Sequence, residues 1–100
     1  SQGLDNLGLR TVGGGRRNEA NTDRSVVAGG YWNIAHGITS TISGGQQNFI
    51  NQDYAPIGGG RNNQIYGAYG TIAGGGGEDS VDANIVTSEY GAIGGGRNNR

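Results

Sequence analysis

Residues 41–63 read TISGGQQNFINQDYAPIGGGRNN and contain one full copy of a repeat together with the start of the next. An apolar residue, a small residue and two glycines, Ile42-Ser43-Gly44-Gly45, return after 15 residues as Ile57-Gly58-Gly59-Gly60. An asparagine follows three residues after each glycine pair, at Asn48 and Asn63. A fixed period of this kind is typical of repeat proteins, in which one structural unit stacks on the next.

The repeat extends over most of the 100 residues of the chain. Six copies occupy residues 11–100, and their apolar position is filled by Val12, Val27, Ile42, Ile57, Ile72 and Ile93. The sixth copy follows after 21 residues instead of 15, which indicates a six-residue insertion within residues 76–83. Residues 1–10 differ from the repeats, and we interpret them as an N-terminal cap or junction, because the terminal units of repeat arrays are usually atypical.

The length of the unit restricts its structure. Fifteen residues are enough for two short strands and two turns but too few for a pair of helices. Residues typical of strands precede each glycine pair and follow each asparagine. The predicted strands include Ser25–Val27, Ser40–Ile42, Gly70–Ile72, Asn48–Ile50, Asn63–Tyr66 and Asn84–Thr87. We therefore predict an all-β fold, a parallel β-roll or β-solenoid whose equivalent residues stack about 4.8 Å apart.

Two apolar columns are expected to form the core of each coil. One is the column from Val12 to Ile93, and the other contains Ala20, Ala35, Ile50, Ile65 and Val86. Burial of an aliphatic side chain contributes roughly 1.5–3 kcal/mol, whereas ordering the backbone costs about 1–2 kcal/mol per residue. Because a coil supplies so few buried side chains, we predict an obligate oligomer of identical chains. The paired glycines serve either turns within the chain or the close approach of neighbouring backbones.

Composition excludes several classes of function. The absence of cysteine excludes disulfides and thiolate zinc sites. A formal net charge of -1 disfavours a nucleic-acid partner, and no apolar run approaches the roughly 20 residues of a membrane helix, so we expect no direct membrane insertion. The single histidine, His36, has no second histidine or cysteine with which to build a catalytic or metal site. We expect no cofactor and no enzymatic activity.

The pattern Ile-Gly-Gly-Gly-x-x-Asn, with Ala or Ile two residues further on, resembles the head repeats of trimeric autotransporter adhesins, the YadA-like head, over about residues 11–100. The resemblance implies a homotrimer of left-handed parallel β-rolls at the bacterial cell surface that binds host matrix, cell-surface or glycan ligands by multivalent contacts. The repeats also look like those of phage tail fibres and other secreted trimeric fibres. The alternative is therefore a structural segment of a virion tail fibre or extracellular filament.

Candidate ligand-binding residues are aromatic or basic. Tyr31 and Trp32 follow the second glycine pair, whereas Tyr54, Tyr69 and Tyr90 share one column. Aromatic columns can contact sugars or protein, but they can equally stack within the chain or pack in a trimer. Arg16 and Arg17 form a local basic cluster that fits either a sulfated or acidic glycan or an ordinary solvated surface.

Two further patterns concern the insertion and the asparagines. Residues 74–82 match one copy of the calcium-binding nonapeptide, and Glu78, Asp79 and Asp82 are weak candidates for metal ligands. That motif binds calcium between consecutive copies, so we favour an acidic solvated loop and predict no metal site.

The asparagines that follow the glycine pairs form a further column. It is expected either to form an amide ladder or to cap the turn after the glycines. Its members are Asn18, Asn33, Asn48, Asn63, Asn84 and Asn99.

Overall fold

A computed structural model of the chain describes residues 10–100, and the secondary structure is almost entirely short strands. The cap or junction predicted for residues 1–10 lies, apart from Arg10, outside the described residues. Each strand is two residues long. The strands are β1 Thr11–Val12, β2 Glu19–Ala20, β3 Val26–Val27, β4 Ile34–Ala35, β5 Thr41–Ile42, β6 Phe49–Ile50, β7 Pro56–Ile57, β8 Gln64–Ile65, β9 Thr71–Ile72, β10 Ile85–Val86 and β11 Ala92–Ile93. A single turn of 3-10 helix covers Ser80–Asp82.

The strands form two parallel sheets along one axis. The odd-numbered strands make a six-stranded sheet, and the even-numbered strands make a five-stranded sheet. In the first sheet Val27 pairs with Ile42, and in the second Ile50 pairs with Ile65, so each residue lies beside its equivalent in the next repeat. The pairing of Val86 with Ile65 keeps the same register across the insertion. The predicted all-β parallel β-solenoid is thereby confirmed.

A third ladder, which the sequence did not predict, closes each coil between the two sheets. It consists of isolated parallel bridges that link Arg16, Tyr31, Gln46, Arg61 and Gly76 in order. The residue after each of Arg16, Tyr31, Gln46 and Arg61 adopts a positive φ, as at Trp32 (57°) and Gln47 (57°). Its amide then donates to the carbonyl of the preceding coil, as from Trp32 to Arg16 at 2.9 Å. Each coil therefore has three hydrogen-bonded sides.

The strands are shorter than those predicted, because the flanking residues are used in turns. Ser25 was predicted to begin a strand, but its amide and its Oγ both donate to the carbonyl oxygen of Thr22, at 3.1 and 2.7 Å. Ser40 likewise donates from Oγ to the carbonyl of Gly37. These bonds hold the chain in a tight turn until Val26 and Thr41, where the ladder begins.

The core is a narrow stack of aliphatic side chains. Val27, Ile42, Ile57 and Ile72 are fully buried, whereas Val12 and Ile93 at the ends are partly buried and pack against the same cluster. The facing column is also buried and consists of Ala20, Ala35, Ile50, Ile65 and Val86. Because these side chains stack directly on their equivalents, every coil buries apolar surface on both neighbouring coils.

A third inward column compensates for the changing size of the second. It contains Ser25, Ser40, Ala55, Gly70 and Gly91. The coils with Ala20 and Ala35 have serine in this column, whereas the coils with isoleucine or valine have alanine or glycine. A Cβ added at Gly70 would lie 2.8 Å from Cγ1 of Val86 and 3.0 Å from Cγ2 of Ile65. The pair of columns thus keeps the cross-section of the core filled without overpacking.

The asparagine column forms a hydrogen-bonded ladder through the interior. Nδ2 of Asn48 donates to the carbonyl oxygens of Gly44 at 3.1 Å and Gly60 at 3.0 Å. Its Oδ1 accepts from the backbone amide of Asn63 at 3.0 Å. Asn33, Asn48, Asn63 and Asn84 are fully buried. The predicted ladder and the predicted cap are both confirmed, because one amide serves both purposes.

The two glycines of each pair have different environments. Gly45 has a φ of 92°, and a Cβ added there would overlap the carbonyl oxygen of Gly60 in the next coil. Only glycine fits this position, which recurs at Gly15, Gly30, Gly60 and Gly75. At Gly44, in contrast, an added Cβ would meet nothing within 4 Å. The first glycine of the pair is therefore not required by the packing of the described chain.

Candidate functional site

Every aromatic ring of this protein lies outside the hydrophobic core. The chain has one Trp, five Tyr and one Phe, all within the described residues. The buried cluster consists of Ala, Val and Ile alone. Trp32, Tyr54, Tyr66, Tyr69 and Tyr90 are exposed, and Tyr31 and Phe49 are half-buried. The aromatic side chains therefore lie at the surface or partly exposed beside it.

Tyr54, Tyr69 and Tyr90, here called the tyrosine ladder, stack along the solenoid axis. The ring centroids of Tyr54 and Tyr69 are 5.1 Å apart with planes at 7°, and those of Tyr69 and Tyr90 are 5.0 Å apart with planes at 9°. Their relative exposures are 48%, 48% and 72%, respectively. The ladder is thus a continuous aromatic strip that remains open to solvent.

The backbone beneath the tyrosine ladder is held in an unfavourable conformation. The φ values of Tyr54, Tyr69 and Tyr90 are 59°, 61° and 62°, a region that favours glycine and asparagine. Each tyrosine amide donates to the carbonyl of the preceding coil, as from Tyr69 to Asp53 at 3.0 Å. The turn is therefore fixed by the solenoid, and a bulky ring occupies a position where a smaller residue would cause less strain.

The other predicted binding residues meet at a different corner of the coil, beside the bridge ladder. The guanidinium carbon of Arg16 lies 6.0 Å from the ring centroid of Tyr31. Tyr31 and Trp32 make an edge-to-face contact, with centroids 6.3 Å apart and planes at 73°. Arg17 is exposed and has a φ of 56°. The structure thus brings Arg16, Tyr31 and Trp32 together.

A groove of about 340 Å³ opens on the outer face of the five-stranded sheet. We call it the amide–aromatic groove. Its lining includes Trp32, Ile34, Phe49, Tyr66, Gln47, Asn62 and Gln64. The rings of Phe49 and Tyr66 are 5.9 Å apart at 57°, and Oη of Tyr66 donates to Oε1 of Gln64 at 3.0 Å.

Of the residues in this groove, the sequence singled out Trp32 alone as a binding candidate. The sequence pattern that would have indicated the others is the alternation of side chains between the two faces of a strand. Ile34 and Phe49 directly precede the buried Ala35 and Ile50, so their side chains must point outward from the same strands. Large apolar side chains at an outward position mark a contact surface.

Two carboxylates of the acidic insertion form ion pairs with arginines. Glu78 lies 3.6 Å from Arg61, and Asp82 lies 3.6 Å from Arg97. The amide of Asp82 donates to the carbonyl of Asp79 within the 3-10 turn. Within residues 10–100, no three side chains of the His, Cys, Asp or Glu type are grouped closely enough to hold a metal ion.

In the coil that contains the insertion, two different residues, Gly76 and Asp82, make the backbone contacts that a single residue makes in the other coils. Asp82 lies two residues before Asn84, as Arg16 lies before Asn18, but the bridge to Arg61 is made by Gly76. Asp82 instead faces the following coil, where its carbonyl accepts from the amide of Asn98 at 3.0 Å. The extra residues therefore bulge outward between two coils that remain in register.

No family model, curated protein or solved structure matches this chain. Across residues 10–100, no helix has the length and apolar character needed to cross a bilayer. The tyrosine ladder and the amide–aromatic groove both carry exposed rings, which are Tyr54, Tyr69 and Tyr90 in the ladder and Trp32 and Tyr66 in the groove.

Proposed function

We propose that this chain is a non-enzymatic binding segment of an extracellular fibre, similar to the heads of trimeric autotransporter adhesins. It attaches a bacterial surface or a virion tail fibre to host matrix, cell-surface or glycan ligands. The observation that carries this proposal is the placement of every aromatic side chain outside the core. A small chain that is short of buried apolar surface has most to gain from burying such rings.

The conformation of the exposed tyrosines supports the same proposal. Tyr54, Tyr69 and Tyr90 each occupy a left-handed turn position that Gly or Asn would fill with less strain. Stacking between the rings offsets part of this cost, at roughly 0.5–1.5 kcal/mol per pair. Aromatic side chains also provide large contact area at small entropic cost. A row of them on a rigid rod is therefore suited to binding an extended partner.

A trimeric state is supported by one side of the solenoid that carries no charge within the described residues. We call it the uncharged face; it is the outer surface of the six-stranded sheet. It consists of Thr11, Val26, Thr41, Pro56, Thr71, Ala92, Gly13, Ala28, Ser43, Gly58, Ala73 and Gly94. Beside it runs a column of glycines whose missing Cβ atoms would meet nothing: Gly14, Gly29, Gly44, Gly59, Gly74 and Gly95.

Each glycine in a regular segment costs about 0.5–1 kcal/mol relative to alanine. A glycine repeated in every coil, with open space above it, is explained if another backbone approaches closely there. Packing of three identical chains on this face would supply the burial that one narrow coil lacks. It would also present three copies of each aromatic surface, so that weak contacts add up to avidity. The resemblance to the heads of trimeric autotransporter adhesins also implies that the coil is left-handed.

The alternative function is a structural segment of a phage tail fibre or extracellular filament. It is favoured by the asparagine ladder, which continues through Asn33, Asn48, Asn63 and Asn84 at full burial. A rod held by such a ladder is stiff and needs no ligand to be useful. In that case the exposed rings would serve packing within the fibre.

The experiment that separates these functions is a solid-phase binding assay on collagen, fibronectin and a glycan array. We expect the chain to bind at least one matrix protein. The triple variant Tyr54→Asn, Tyr69→Asn, Tyr90→Asn should weaken that binding at least about tenfold, because a few aromatic residues carry most of the energy of an interface. Asparagine tolerates the left-handed turn, so the fold should be retained.

The matched control is Val81→Ser, which removes an exposed apolar side chain from the insertion and should leave binding unchanged. Circular dichroism spectra of both variants should equal that of the wild type. Uniform absence of binding to matrix proteins and glycans would refute the adhesive function and leave the structural segment.

A further inference from the structure

We infer that the amide–aromatic groove binds a neutral oligosaccharide that lies along the solenoid axis. This inference rests on the proposed binding function and specifies one ligand class and its site. The groove is built from three successive coils, represented by Trp32, Phe49 and Gln64. Since coils are spaced about 4.8 Å apart, it extends for roughly 10 Å, the length of about two sugar rings.

The lining of the groove combines aromatic rings with primary amides. Trp32, Phe49 and Tyr66 provide apolar faces, and Gln47, Asn62 and Gln64 provide amides. The apolar C–H face of a sugar ring packs on an aromatic face, while an amide can donate to one hydroxyl and accept from its neighbour. No residue that lines this groove in the described chain is charged. The lining therefore matches a ligand with many hydroxyl groups and no charge.

The polar groups are held in place before a ligand arrives. The hydrogen bond from Tyr66 Oη to Gln64 Oε1 orients that amide and leaves its NH₂ group to donate. Nδ2 of Asn62 donates to the carbonyl oxygens of Gly77 at 2.9 Å and Glu78 at 3.1 Å, which leaves its Oδ1 to accept. Fixed donors and acceptors reduce the ordering cost of binding.

The backbone along one edge of the groove is equally rigid. Trp32, Gln47 and Asn62 occupy one column with φ values of 57°, 57° and 62°. Their amides donate to the preceding coil at 2.9, 3.0 and 3.0 Å, respectively. Asparagine suits this conformation, whereas tryptophan and glutamine do not. Bulky side chains kept at strained positions are expected where they serve a function.

Two protein ligands fit the groove less well. An added β-strand needs free backbone groups at a sheet edge, but this groove lies on the face of the sheet, where the amides of Ile34 and Phe49 already donate to Asn48 and Asn63. An amphipathic helix needs an apolar groove, but amide groups form a large part of this lining. A neutral sugar chain satisfies both the rings and the amides.

The test is isothermal titration of the intact chain with neutral oligosaccharides, namely cello-, malto- and chito-oligosaccharides, and with heparin as the anionic comparison. We expect at least one neutral series to bind, with an affinity that does not change between low and high salt. Trp32→Asn should weaken that binding at least about tenfold. Arg24→Asn is the matched control, because it places asparagine at an exposed position of the same backbone conformation outside the groove, and it should have no effect.

Four results would overturn the inference. Binding of matrix protein without any neutral sugar would refute the groove as a sugar site and leave the proposed adhesive function standing. Binding of heparin alone would place the ligand at the arginines. Equal loss in Trp32→Asn and Arg24→Asn would place the sugar outside the groove. If neither matrix protein nor any sugar binds, the proposed function fails together with the inference.

Discussion

Replacement of Gly45 by alanine is expected to prevent folding, whereas the same replacement at the adjacent Gly44 should leave the fold intact. At Gly45 the added Cβ would overlap the carbonyl oxygen of Gly60 and lie 2.8 Å from Nδ2 of Asn48. A non-glycine residue at the observed φ of 92° is also strained. Both neighbours belong to the hydrogen-bonded interior, so neither can move away without breaking the ladder.

The expected loss at Gly45 exceeds about 4 kcal/mol, the range reached by overpacking and backbone strain acting together. That is comparable to the whole stability of a small domain. Gly44→Ala meets nothing within 4 Å and should change the stability of a single chain by less than about 1 kcal/mol. Thermal unfolding followed by circular dichroism measures both. Similar melting temperatures for the two variants would contradict the positions assigned to these glycines.

Asn48→Leu is expected to destabilise the protein by at least about 4 kcal/mol, although the side chains are similar in size. Leucine would remove four hydrogen bonds and leave the carbonyl oxygen of Gly44 and the amide of Asn63 without this partner, whereas the carbonyl oxygen of Gly60 keeps the amide of Gln46 and Oδ1 of Asn33 keeps the backbone amide of residue 48. Each buried polar group that loses its hydrogen bond costs about 1–3 kcal/mol. The ladder would be interrupted at its centre.

The control for this prediction is Asn51→Leu, which makes the same chemical change at an exposed position of the same coil. Its effect on the free energy of unfolding should stay within about 0.5 kcal/mol. Urea titration of both variants, with equal slopes, gives the comparison. A loss below 1 kcal/mol at Asn48 would mean that the amide ladder is not a main source of stability.

The two sheets could be predicted from sequence because the periodic apolar side chains show which residues of successive coils lie side by side. Val27, Ile42 and Ile57 recur at one interval, and buried columns tolerate only such residues. The bridge ladder could not be predicted, because Arg16, Tyr31 and Gly76 share no side-chain property. Their backbones pair, and backbone hydrogen bonds do not depend on the identity of the side chain.

The tyrosine ladder and the amide–aromatic groove also differ in how far they could be predicted from sequence. The repeat places Tyr54, Tyr69 and Tyr90 in one column and so predicts that they lie close together. That their rings stack and remain exposed could be seen only in the structure. The groove joins Trp32 to Phe49 and Tyr66, which belong to three different columns and three different coils. A search along columns cannot find a surface that runs diagonally across them.

The uncharged face has the widest consequences for function, since it determines whether the aromatic surfaces are presented once or three times. Introducing charge there tests this directly. Glutamate at Gly44 and Gly59 would meet nothing within 4 Å of its Cβ in a single chain, so these substitutions should disturb no contact within the chain. In a trimer packed on this face, the same carboxylates would be buried without partners, at a cost of several kcal/mol.

The most direct measurement is the native mass by light scattering after gel filtration. For the wild type we predict three times the chain mass of 10.2 kDa. The double variant Gly44→Glu, Gly59→Glu should fail to form the trimer, and the double variant Asn51→Glu, Gln52→Glu, with charges at exposed positions of another side, should remain trimeric. A folded wild-type particle with the mass of one chain would contradict the trimeric binding head.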